Sequence, residues 1–189
     1  MKLIAGLGNK GSEYAGTRHN IGFMFLDYLS EKLNFNFDSK NRFSVFGEKN
    51  FRGEKTVFAK PVTYMNLSGK AVVFFAQKHK IMPENILIVH DDMDIEFGSA
   101  KIKMGGGAAG HNGIIDITER LNTPGFARLR IGVGRPQLRG KDSEYVLGRF
   151  SEEEAEETEK LFDRLEDFVM NFIHMGYAKA AGRFKKNGD

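Results

Sequence analysis

The sequence has no cysteine and no tryptophan, and only four prolines in 189 residues. Without cysteine there are no disulfides, no thiolate nucleophile and no metal–sulfur centre, although that absence alone does not fix a compartment. Long apolar runs are missing too. The N-terminal one stops at Gly6, too short for the hydrophobic region of a secretory signal, and none later approaches the roughly 20 residues of a membrane span. The expectation is a soluble cytoplasmic protein without a membrane partner, folded as one domain over 1–189. There is no Gly-x-Ser-x-Gly elbow, and the Gly105–Gly110 run lacks the Lys-Ser/Thr that a P-loop requires. Internal repeats and low-complexity linkers are also absent.

The net charge of +3 hides a segregation. Glu152 to Asp167 carries nine acidic residues against Lys160 and Arg164, a net −7, which leaves +10 for the remainder. A basic body suits a polyanionic partner such as nucleic acid, while the acidic stretch reads as a solvated helix face.

Lys2 to Leu7 reads as a buried strand and Phe23 to Leu33 as a helix whose Phe23, Leu26, Leu29 and Leu33 mark the core face, with Thr17 or Asn20 as its cap. Arg42 to Phe51 and Lys55 to Lys60 read as strands turning at Arg52-Gly53, followed by a helix from about Leu67 to Lys80. Ile86-Leu87-Ile88-Val89 is aliphatic without alternation, as for a strand covered on both faces, and it delivers His90-Asp91-Asp92-Met93-Asp94 to its carboxyl end. Lys101 to Met104 and Arg128 to Ile131 alternate cation and apolar residue, so each is expected to bury one face and show cations on the other. A helix at about Asn112 to Leu121 separates them. The basic stretch Gly132 to Gly148, with Arg135, Arg139 and Lys141, reads as a loop. A long helix then runs from Ser151, whose Glu154 completes a capping box, to His174, and a short last helix covers Tyr177 to Phe184. This order argues for an α/β domain with a mixed twisted sheet flanked by helices.

The chemistry is expected in the polar, glycine-rich stretch Gly6 to Gly22, at the end of the first strand. Gly6-Leu7-Gly8-Asn9-Lys10-Gly11 matches a dinucleotide fingerprint literally, but Gly16 interrupts any early helix and Asp27, the acid at a suitable distance, lies inside the helical pattern. His19 can exchange a proton near neutral pH, and Asp91 at the end of a buried strand could fix its tautomer; with no elbow serine and no cysteine, water activated by histidine remains as nucleophile. Asn66, Ser68 and Asn112 sit where they could be helix caps only; alternatively Asn9, Asn66 and Asn112 could supply several amides to one cleft, suiting a peptide or ester carbonyl. Carboxylates of His90 to Asp94 could hold magnesium, and His19, His90 and His111 zinc, yet neither set has a recognised ligand spacing, and no metal or cofactor is expected. Lys101, Lys103, Arg128 and Arg130 would form a cationic patch if their strands are neighbours.

Taken together, Gly6-Leu7-Gly8-Asn9, Tyr14 with Thr17-Arg18-His19-Asn20, Met65-Asn66-Leu67-Ser68-Gly69, His90-Asp91, Gly105-Gly106-Gly107, Gly110-His111-Asn112-Gly113 and Arg128 to Gly132 resemble the bacterial-type peptidyl-tRNA hydrolase family along almost the whole chain. The resemblance implies hydrolysis of the ester between a peptide and the terminal ribose of tRNA. It implies His19 as general base, Asp91 as its orienting acid, and Asn9 as the residue that distinguishes a blocked from a free amino group. It also implies Asn66 and Asn112 beside the ester, Tyr14, Tyr64 and Met65 in the substrate surface, and Lys101, Lys103 and Arg130 on tRNA phosphates. A monomer is expected. Two departures stand out: Lys10 where the family usually has proline, and Ala108-Ala109 where glycine or histidine is common. They touch loop mobility and substrate fit, not the proposed catalytic pair. Two other classes stay open, a non-catalytic RNA-binding protein of this fold and a nucleotide-binding enzyme.

Overall fold

The structure is a computed structural model that describes residues 1–136 and 140–186. Seven strands, β1 (Lys2–Gly6), β2 (Ser39–Lys40), β3 (Ser44–Phe51), β4 (Glu54–Pro61), β5 (Ile86–Asp92), β6 (Ala100–Met104) and β7 (Ala127–Gly132), form one sheet in the order β2-β3-β4-β1-β5-β7-β6. The four inner strands β4, β1, β5 and β7 are parallel, and the outer strands run antiparallel to their neighbours. The helices are α1 (Ile21–Lys32), α2 (Gly69–His79), α3 (Asn112–Leu121), α4 (Asp142–Val146), α5 (Glu152–Met175) and α6 (Tyr177–Lys186).

Side-chain alternation along the strands builds two cores, one on each face of the sheet. On one face Ile4, Phe58, Leu87, Val89 and Leu129 pack with the apolar stripes of α1, α5 and α6. On the other, Leu3, Ala5, Val57 and Ile88 pack with α2 and α3. Strand β5 is buried at every position, as expected for a central parallel strand. Helix α5 opens with the Ser151–Glu154 capping box and shows its acidic residues to solvent.

Three expectations need correction. α1 starts at Ile21, and Asn20 at its N-cap position makes no capping bond because its side chain is committed elsewhere. The Gly132 to Gly148 stretch includes helix α4, with Asp142 and Glu144 in its first turn. β6 does alternate, as an edge strand. β7 does not: it lies between β5 and β6, and its Arg128 is only 2% exposed.

Candidate active site

β1 is followed by chain leading to one side of the sheet, while its other neighbour is β5, so a crevice opens beyond the carboxyl ends of these two strands. Two glycines let α1 approach that crevice. A Cβ on Gly6 would lie 2.2 Å from the Gly22 carbonyl oxygen, and a Cβ on Gly22 would lie 2.5–2.6 Å from Leu7 and Val89 backbone atoms. Helix α1 therefore meets the strand ends at backbone contact, and the short helical turn Arg18–Asn20 just before it carries His19 over β5. Of the fingerprint glycines, Gly6 and Gly8 serve this packing against α1, and no helix begins within Gly6 to Gly11.

His19 Nδ1 lies 2.8 Å and His111 Nε2 3.1 Å from the same oxygen, Oδ1 of Asp91. Burial would push the Asp91 carboxyl up, but the charge and hydrogen bonds of His111, then those of His19, outweigh it and hold it well below the usual carboxylate range. An ionised carboxylate only accepts, so both facing imidazole nitrogens donate. His111 is the N-cap of α3, and its Nδ1 accepts from the Gly113 and Ile114 N–H groups, which places its proton on Nε2. His19, bonded to Asp91 through Nδ1–H, is left with Nε2 as its basic atom.

His19, Asp91 and His111 are the one cluster with metal-ligand spacing among the described residues, all three ligand atoms lying within 4.8 Å of one another. The donor set fits a cation poorly. The α3 backbone N–H groups require a lone pair on His111 Nδ1, so its Nε2 keeps the proton that a metal would have to displace. His90 Nδ1 donates to the Asp91 carbonyl, away from the cluster, and burial, then the neighbouring His111, drives its pKa well down.

Asn9, His19, Asp91 and Asn112 all line one cleft of about 460 Å³, with Ala108 to Gly110 on one wall and α4 on another. Asn20 fixes Asn9 by reciprocal bonds, accepting from its N–H at 2.8 Å and donating to its carbonyl at 3.0 Å. Lys10 is exposed. Met65, Asn66 and Tyr64 lie outside the cleft, on a turn packed against α3: Met65 is buried beside Gly113, Asn66 is exposed, and Tyr64 is 80% exposed. Tyr14 is half-buried in the turn Ser12–Tyr14. Neither Asn66 nor Asn112 caps a helix. Ser68 holds the N-cap position of α2 but turns its hydroxyl to the Met65 carbonyl, and α2 is capped in trans by Asp116 through the Gly69 N–H.

Lys101 and Lys103 are exposed on β6 and pair in register with Arg130 and Arg128 on β7. Arg130 is tied to Asp92 by a 2.7 Å ion pair, and Arg128 is withdrawn from the patch beneath the glycine loop. Arg135 pairs with Asp94 at the cleft, while Arg139 lies outside the described residues. The sequence offers Asn20 as a helix cap and His111 as a zinc ligand, but not the Asn9 clamp or the Asp91 donor and α3 cap that the structure shows. The signal was a histidine directly before a helix start in Gly110-His111-Asn112-Gly113, where a side-chain acceptor is favoured.

A family model described as Peptidyl-tRNA hydrolase matches residues 3–189. The chain is 44% identical over 184 residues to a peptidyl-tRNA hydrolase of Caldanaerobacter subterraneus, covering 97% of this chain and 99% of that one. It is 43% identical over 179 residues to one of Geotalea uraniireducens, covering 95% and 93%. Among solved structures, that of peptidyl-tRNA hydrolase from Acinetobacter baumannii superposes with a TM-score of 0.86 at 37% identity, over 98% of this chain and 91% of that one.

Proposed function

The chain belongs to the peptidyl-tRNA hydrolase family, and from that premise we propose that it cleaves the ester joining a peptide, or an N-blocked amino acid, to the terminal ribose of tRNA, with water activated by His19. The observation that carries this reading is the buried Asp91 carboxylate accepting from His19 Nδ1, which leaves Nε2 as a base facing the cleft. Water gives its proton to Nε2 as its oxygen bonds to the ester carbonyl carbon. As the tetrahedral intermediate collapses, the bond to the ribose oxygen breaks and that oxygen takes the proton back from His19. An ester has a good enough leaving group for this to proceed without a covalent enzyme intermediate.

Asn9 and Asn112 supply amides beside the reacting carbonyl, and the fixed Asn9 backbone suits discrimination of a blocked amino group. Asn66, Tyr14 and Tyr64 extend the substrate surface, with buried Met65 anchoring the Asn66 turn against α3, and Lys101, Lys103 and Arg130 take tRNA phosphates. No helix among the described residues is long and apolar enough to cross a membrane; we assign a monomer acting in the cytoplasm on freed peptidyl-tRNA. The test is turnover of N-acetyl-aminoacyl-tRNA and of unblocked aminoacyl-tRNA, with chelator present, by the native protein and His19→Ala. Release of the blocked residue alone, lost in the variant while tRNA still binds, is the expected result. Folded native protein that binds tRNA without hydrolysing it would overturn the reading in favour of a binding module.

A further inference from the structure

Arg128 is the largest side chain that is fully buried, and it makes no ion pair with a carboxylate among the described residues. Its guanidinium instead donates to two successive backbone carbonyls of the glycine loop, those of Gly106 and Gly107, the latter at 2.8 Å. Burying a cation on neutral partners is costly, so the fork is expected to do something a smaller residue would not. Its effect on the loop follows from peptide geometry. In a trans peptide the C=O and N–H point in opposite directions. Drawing the Gly106 and Gly107 carbonyls in toward Arg128 therefore turns the N–H groups of Gly107 and Ala108 outward.

Those two N–H groups meet no acceptor among the described residues, although their neighbours do: Gly105 N–H bonds to the Phe126 carbonyl and His111 N–H to that of Ala108. A cation lies alongside. The Lys103 side chain runs against Gly106, where an added Cβ would lie 2.6 Å from Nζ. Gly106 has φ 92°, so a side chain there is disfavoured both by backbone and by the lysine. Ala108 forms part of the cleft wall, and Gly107 is exposed.

We propose that Gly107 N–H, Ala108 N–H and Lys103 Nζ form a phosphate subsite between the β6 lysines and the His19 cleft, and that Arg128 is the positioning residue that presents its two amide donors. The ligand is a phosphodiester of the single-stranded acceptor end of tRNA, on its way from the cationic strand to the ester. The identity of that ligand rests on the reading of the cleft given above. Two parallel amide donors beside an ammonium match a phosphate oxygen, as backbone donors do in other phosphate-binding loops.

The test compares native protein with Arg128→Gln, Arg128→Lys and Ala108→Pro, the last removing one donor without touching the arginine. Three readouts are taken: hydrolysis of N-acetyl-aminoacyl-tRNA, hydrolysis of N-acetyl-aminoacyl-adenosine, which has no phosphate, and affinity for uncharged tRNA. We expect Arg128→Gln and Ala108→Pro to raise KM for the tRNA substrate about tenfold with kcat unchanged, and to weaken uncharged tRNA by the same factor. Arg128→Gln should turn over the adenosine ester as native protein does. Because amide donors carry no net charge, the salt dependence of tRNA affinity should keep its native slope, whereas Lys103→Met should lower it by about 1. Equal loss on the adenosine ester would overturn the subsite, as would full recovery with Arg128→Lys, which keeps the charge but not the planar fork. A native protein that hydrolyses neither ester yet binds tRNA in an Arg128-dependent way would retain the subsite and sink only the esterase reading.

Discussion

The oxygen Asp91 Oδ1 has two imidazole donors, and the identity of each donor's partner decides what the site can do. His111 is fixed from behind by the α3 N–H groups, so its N–H is a permanent donor to the carboxylate. His19 has no such constraint on Nε2, the atom the proposed mechanism uses as its base. Asp91→Asn should therefore leave the cleft in place but remove the acceptor that selects the His19 tautomer. The expected loss is about 10²–10⁴-fold in kcat, with KM little changed, measured on N-acetyl-aminoacyl-tRNA. Loss of both parameters together would mean that the carboxylate chiefly holds the fold. At this scale the sequence identified His19 and Asp91 as partners but not the sharing of one oxygen with His111. That sharing depends on α3 bringing its N-cap across more than one strand connection, which no local spacing encodes.

The junction of β1 and α1 sets how near His19 comes to β5. Gly22 sits with its Cα facing the backbone of Leu7 and Val89, leaving no flexible side chain to yield. Gly22→Ala should cost about 1–3 kcal/mol or more in unfolding free energy, by overpacking, read from urea midpoints. If α1 is pushed off the strand, activity should fall further than the folded fraction accounts for. An unchanged midpoint would show that the helix can slide without penalty. Such close approaches explain where sequence reasoning succeeded and where it stopped. The apolar runs, the Ser151–Glu154 box and the Pro83 and Gly176 breaks carry their own physics, and the helices and main strands follow from them. β2, only two residues long, and α4, inside a basic glycine-bearing stretch, have too little local signal to stand out. Arg128 misled for a related reason: alternation assigns it to the face of Arg130, but that position lies under the glycine loop, so an arginine that looks solvent-facing in sequence is buried.

For the molecule as a whole, the buried histidines tie stability to pH. His90 is lodged in β5 with its Nδ1–H on the Asp91 carbonyl; burial, followed by the His111 charge, pushes its pKa well below the ordinary 6.5. His79 is shifted the same way, chiefly by burial and then by Lys78. The folded protein keeps these rings neutral where the unfolded chain protonates them, so below about pH 6.5 the unfolded state binds more protons and stability falls as pH falls. Asp91 acts in the same direction at lower pH: its carboxyl is depressed in the fold, so the stability it contributes is present above about 3.8 and lost as pH drops from there toward its lowered native value. His90→Asn separates these contributions, because an asparagine amide can replace the Nδ1–H donor but does not titrate. Between pH 6.5 and 5 the native protein should lose stability more steeply than this variant, by up to about 1.4 kcal/mol per pH unit, as read from urea midpoints across that range. The two should run parallel above pH 7.5, where the imidazole is neutral in either state. Parallel curves throughout would mean that His90 accepts its proton within the fold, and the neutral packing of β5 beneath the Asp91 site would then be wrong.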